Sequence, residues 1–144
     1  MKASASLIIA LVSTGLLASC TKPAVTIDNA WIRTPPPGMS MTAAYLTLHN
    51  KTAETITLVG ATSEAFEQVT IHESRVVDGI SEMIRLRSLS IAAGERLVFQ
   101  PGGLHLMMTK PKQAVARGDN TTITLQLADQ TRVPASAVVS DQAP

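Results

Sequence analysis

The chain has 144 residues, with 12 Lys and Arg against 11 Asp and Glu, three histidines and one cysteine. So even a balance lacks the basic excess that neutralises phosphates in nucleic-acid binding, and a single cysteine excludes an internal disulfide.

Lys2 precedes an apolar run over 7–17, followed by Leu17-Ala18-Ser19-Cys20. The run is shorter than the roughly 20 apolar residues that span a bilayer. It therefore reads as a secretory signal, and its Leu-Ala-Ser-Cys ending looks like a bacterial lipobox. Residues 1–19 are expected to be a lipoprotein signal peptide, with Cys20 the lipidated first residue of the mature protein and 20–24 a tether. A plain signal with a free Cys20 would leave an unpaired thiol in an oxidising compartment. The mature chain of 125 residues carries 11 Lys and Arg against 11 Asp and Glu. That length is one domain with a core of its own. Its only expected membrane contact is the lipid. The expected location is the periplasm; Thr21 supplies no aspartate retention signal after Cys20, which is compatible with the outer membrane of a Gram-negative cell.

From Val25 onward, short β-prone segments alternate with turn residues. Strands are expected over 25–33, 42–49, 55–61, 66–72, 83–89, 95–100, 104–109, 120–128 and 131–139. Breakers separate them, among them Pro35-Pro36-Pro37-Gly38, Asp78-Gly79 and Pro101-Gly102-Gly103. No segment sustains a 3.6-residue apolar period, so no long helix is expected; one helical turn fits 112–116. Pro134 should lie at an edge, because it cannot donate to a ladder. The string fits an all-β fold, an antiparallel Greek-key β-sandwich or barrel, as one domain over 25–139 with a flexible tail over 140–144.

Two histidines and two methionines fall in the pattern H-x10-M-x21-H-x-M: His72, Met83, His105 and Met107. Side chains alternate across a strand. In 104–109 the apolar set is Leu104, Leu106 and Met108, so Met107 points away from the core with His105. In 66–72, His72 lies opposite Val69 and Ile71; in 83–89, Met83 lies opposite Ile84 and Leu86. Imidazole and thioether are soft-to-borderline donors that suit Cu(I) and not magnesium or calcium. Zinc would usually recruit Cys or a carboxylate, but parity turns Glu73 and Glu82 away. A blue-copper centre needs a thiolate, and the lone cysteine is at the lipobox. No hydrolase or phosphate-loop motif is present, so no enzyme activity is expected. The competing reading is a structural β-sandwich lipoprotein with incidental His and Met. Met39 and Met41 are possible auxiliary thioethers or simply loop residues, and His49 reads as a surface residue.

The four-residue spacing, the segment Pro101-Gly102-Gly103-Leu104-His105-Leu106-Met107, and Ala30-Trp31-x-Arg33, Ala43-Ala44-Tyr45-Leu46 and Gly118-Asp119 resemble the periplasmic PCuAC copper chaperones. The resemblance covers nearly all of the mature chain. It implies a cupredoxin-like sandwich that binds Cu(I) through His72, Met83, His105 and Met107. It also implies a copper-accepting partner, such as the CuA-bearing subunit of cytochrome c oxidase or another copper chaperone. Copper buffering or resistance is the alternative use of the same site. The chain departs from the pattern at Ser74, Arg75, Ser81 and Ile84, and has no His- and Met-rich tail.

Overall fold

A computed structural model describes residues 24–143. The expected signal peptide and Cys20 lie outside the described residues. Ten strands follow one another: β1 (Val25–Arg33), β2 (Met41–Asn50), β3 (Ile56–Ser63), β4 (Phe66–Val77), β5 (Ile80–Leu86), β6 (Leu89–Ile91), β7 (Arg96–Phe99), β8 (Leu104–Pro111), β9 (Asn120–Leu127) and β10 (Arg132–Ser140). No helix among the described residues is long and apolar enough to cross a membrane.

Period-two patterning makes these segments strands. In β9, Ile123, Leu125 and Leu127 are buried and the residues between them are not, which is the signature of a sheet with one wet face. The strands pair in the order β5-β4-β8-β2-β1-β10-β9-β3-β6, with β7 on β2. β3 and β4 stand near opposite ends of that order, yet only Glu64 and Ala65 separate them in the chain. The sheet therefore curls back on itself. Its inward residues, including Leu46, Leu58, Phe66, Leu106, Met108, Ile123 and Leu125, close on one core.

The architecture is the all-β one expected, with one difference in pairing. β1 runs parallel to β10 through Trp31, Ile32 and Arg33, while the remaining ladders are antiparallel. A register shift between Asp28 and Trp31, with Asn29 at φ 53, bends β1 so that its second half meets β10. Bulges of this kind are not visible in alternation patterns. β1 pairs with β10 only at Val138–Ser140. Pro134 thus sits where β10 has β9 as its neighbour on one side only, and its missing N–H costs no ladder bond.

Four segments differ from expectation in ways that matter. The strand expected to end at His72 continues to Val77 and reverses at Asp78-Gly79, both with positive φ (51 and 79), as a two-residue type I′ turn requires. His72 is therefore in mid-strand. The segment 83–89 divides, because β5 ends at Leu86 and Leu89–Ile91 leaves to pair with β3 as β6. Over 112–116 there is no helical turn. The Ala65 carbonyl accepts from Lys112 N–H at 2.9 Å, and an Asp119 carboxylate oxygen accepts from Ala116 N–H at 2.8 Å; these bonds hold an irregular loop instead. At the C-terminal end, Ser140 still belongs to β10, opposite Arg33.

Asn50, the last residue of β2, ties that strand to Glu54 and to the end of β6. It is fully buried. Its Nδ2 donates to the carbonyls of Glu54 (2.7 Å), Ile91 (3.1 Å) and Ala92 (2.9 Å), and its Oδ1 accepts from Thr52 N–H (3.0 Å) and Oγ1 (2.7 Å).

Candidate metal centre

The three strands at the β5 edge of the sheet carry the four candidate ligands. β4 and β8 place His72 directly opposite His105, and Thr70 opposite Met107. β5 places Met83 opposite Ser74, and Arg85 opposite His72. Cross-strand partners share a face, as do residues two apart. All four side chains therefore lie on one face, with the two imidazoles in the middle at a centroid separation of 5.8 Å and an interplanar angle of 31°. Met83 and Met107 are each one diagonal step from His72, on opposite sides of it, a span suited to methionine's long, flexible side chain.

That face is not uniformly wet. His105 is only 6% exposed and Met83 is 54% exposed, while His72 and Met107 are half-buried. Trp31 and Tyr45, of the same outward parity along β1 and β2, are also buried, with ring centroids 4.7 Å apart. Parity thus separates the candidates from the core, but does not forecast that the outward face is itself partly covered. Met108, in contrast, is fully buried in the core cluster.

Backbone geometry presents the imidazoles. The turn before β8 carries Gly102 at φ +80, a conformation that only glycine adopts cheaply. It leaves the Gly103 carbonyl accepting from Ser74 N–H at 3.0 Å and from His105 Nδ1–H at 3.0 Å. Such a bond selects the tautomer whose Nε2 carries a free lone pair. On β4, Thr70 Oγ1 lies 2.9 Å from His72 Nε2, and His72 Nδ1 is buried without a hydrogen-bond partner. A buried ring nitrogen left without a partner is costly unless a ligand fills it. Burial, His105 and the Arg85 guanidinium, in that order, hold the His72 pKa below its ordinary value. The ring is therefore neutral at neutral pH, the form that binds a metal.

Carboxylates stay out of the cluster. Glu73 pairs with Leu104 and Ile84 on the other parity, and Glu82 approaches Arg75 at 3.8 Å. Among the described residues, no three His, Cys, Asp or Glu converge on a metal position. The donors available are two nitrogens and two thioether sulfurs, which fit a soft monovalent ion better than zinc or a hard cation. His49 stands apart on β2, opposite Thr26 and Arg96, with its Nδ1 buried and unpartnered. Met39 and Met41 are exposed at 52% and 45%. The sequence reading assigns no role to Thr70, Gly103 or Arg85, which the structure sets beside the histidines. The first two each lie two positions before a candidate histidine, the spacing at which a strand neighbour shares its face.

Fold and site define a small all-β domain of cupredoxin-like build, with a His and Met cluster on one sheet face near an edge. A family model described as "Putative lipoprotein LpqE-like" matches residues 25–139, and the chain belongs to that family. Relatives include "Putative lipoprotein Lxx21020" of Leifsonia xyli subsp. xyli (strain CTCB07), 32% identical over 118 residues that cover 81% of this chain and 70% of that one. "Uncharacterized protein RP573" of Rickettsia prowazekii (strain Madrid E) is 28% identical over 107 residues, covering 74% of this chain and 59% of that protein. Among solved structures, Cu(I)-bound DR1885 of Deinococcus radiodurans superposes with a TM-score of 0.68 at 29% identity, over 87% of this chain and 84% of that one. The copper-bound PCuAC domain from PmoF2 superposes at 0.67 with 22% identity, over 85% and 95%; at that identity the likeness speaks to the fold alone.

Proposed function

We propose that the protein is a Cu(I) carrier that works outside the cytoplasm, tethered by lipid at Cys20, and that His72, Met83, His105 and Met107 are its copper ligands. The observation that carries this reading is the pairing of His72 with His105 across β4 and β8, flanked on the same face by two methionines. The structural likeness to a Cu(I)-bound protein at 29% identity supports it, as does membership of a lipoprotein family.

Binding and release follow from the unequal exposure of the donors. His105, buried and oriented by Gly103, is the fixed end of the site. Met83, exposed on the edge strand, is the donor most readily displaced. A thioether carries no charge and takes up no proton when it leaves, so this protein's own donors give copper up as neutral groups; a proton released in the exchange comes from the acceptor's ligands. This is the behaviour of a carrier and not of a catalyst. The acceptor we propose is the CuA centre of cytochrome c oxidase, or a second chaperone on the way to it.

A Cu(I) competition titration against a chromophoric chelator tests the site. Stoichiometric binding lost in the His105→Ala/Met107→Ala double variant is expected, and equal binding by parent and variant would sink the assignment. Delivery is tested in cells lacking the gene. Loss of oxidase activity that added copper restores supports transfer to CuA, and normal oxidase activity at limiting copper rules it out.

A further inference from the structure

Beyond the four proposed ligands, the same face carries one more thioether, Met41, with Met39 in the turn just before it. Met41 opens β2 opposite Thr109, and Ala43, two residues on, is opposite Met107. Met41 is thus the diagonal neighbour of Met107, at about 7–8 Å between backbones, within reach of long side chains. The residue directly facing Met107 is an alanine, too short to screen one sulfur from the other. Met39 lies two residues earlier, in the turn before β2, where the Ser40 carbonyl accepts from Lys110 N–H at 3.1 Å and ties the segment to the end of β8.

The segment is held in place. Met39 N–H donates to the Pro36 carbonyl at 3.0 Å, across a turn in which Pro37 and Gly38, at φ +78, occupy the positions that a type II turn reserves for proline and glycine. Thr42 Oγ1 donates to the Arg33 carbonyl at 2.6 Å. Two large apolar side chains, 52% and 45% exposed, are therefore carried on a held backbone, and Thr109, which faces Met41, is polar and bonded to Gln68 at 3.3 Å. Packing gains little from methionine there; a soft lone pair is what leucine would lack.

We propose that Met39 and Met41 form a second thioether station for a soft monovalent cation, through which copper enters and leaves the four-ligand site by way of Met107. The idea rests on the copper reading above. In the transfer step Cu–S bonds to Met41 and Met39 form as the bonds to Met83 and then to the two histidines break, with Met107 letting go last. Copper stays Cu(I), all exchanging donors are neutral, and no proton moves. The station has thioethers only and is half open to water, so it binds more weakly than the site that also holds two imidazoles.

The test uses protein carrying Cys20→Ser, to remove its thiol, with methyl-labelled methionines, titrated with Ag(I) as a redox-inert stand-in. The Met83 and Met107 methyl signals are expected to shift during the first equivalent, Met39 and Met41 during the second, and buried Met108 not at all. In stopped-flow, Cu(I) removal by a chelator is expected to slow about threefold or more in Met39→Leu/Met41→Leu, where volume is kept and the soft donor lost, with first-site affinity within about twofold of the parent. Met39 and Met41 signals that stay still while Met83 and Met107 move would overturn the station alone, as would an unchanged removal rate. If no methyl signal moves, the four-ligand reading falls with it.

Discussion

Replacing Thr70 with valine removes one hydroxyl and leaves the shape of the β4 side chain intact. Thr70 Oγ1 sits 2.9 Å from His72 Nε2, while His72 Nδ1 is buried and unpartnered. If Nε2–H donates to Thr70, Nδ1 is the nitrogen that meets copper, and the hydroxyl both fixes the ring plane and raises its basicity. A hydrogen bond of this kind contributes about 1 kcal/mol net, and loss of a group that orients a metal-bound histidine typically weakens binding by about 10-fold or more. Thr70→Val is thus expected to weaken Cu(I) binding about tenfold, or about 1.4 kcal/mol, in a chelator competition. Folding stability should change by less than about 1 kcal/mol, since valine suits a strand. Thr70→Ser, which keeps the hydroxyl, is expected to retain most of the affinity. Unchanged or tighter binding by Thr70→Val would refute the reasoning, because copper would then be using an Nε2 released from Thr70.

Asn50→Ala removes five buried or half-buried hydrogen bonds. With some of those partners still reachable by water, the expected cost is about 3 kcal/mol, or about 12 °C in Tm for a domain of this size. A loss under 4 °C in a thermal melt followed by circular dichroism would contradict it. Met108→Ala should cost about 2–5 kcal/mol as a cavity in the core. Met107→Ala should cost under about 1 kcal/mol yet lose copper affinity, and denaturant melts beside chelator titrations separate the two. Because the His72 pKa is lowered on folding, the unfolded chain binds more protons just below the ordinary value of 6.5. Copper-free protein should therefore lose stability as pH falls through that region and gain it back as pH rises. Melts at stepped pH should show this trend flattened in His72→Gln; identical trends would contradict it. Bound copper should steepen the trend and extend it to lower pH, since a metal-held imidazole takes up no proton while the unfolded chain still does.

Much of this site was legible because strand alternation is local physics. Met107 and Met108 are adjacent and chemically identical, and parity alone assigns one to the outer face and the other to the core. The strand pairing that puts His72 opposite His105 was not legible, since residues over 30 apart are brought together by register. The Asp78-Gly79 turn signals a reversal but not that β4 runs five residues past His72. The bulge at Asn29, and with it the parallel β1–β10 pair, depends on one positive φ that no periodicity carries. The burial of His105 was hidden for a similar reason, since only register places Trp31 and Tyr45 on the outward parity.

The central claim is that one copper ion is shared by two imidazoles and two thioethers drawn from β4, β5 and β8. X-ray absorption on the Cu(I)-loaded Cys20→Ser protein tests it most directly. The account predicts a mixed shell of two sulfur and two nitrogen scatterers that loses sulfur in Met83→Leu and Met107→Leu and nitrogen in His72→Gln and His105→Gln. A shell of oxygen and nitrogen alone, or one that is unchanged in these variants, would contradict it.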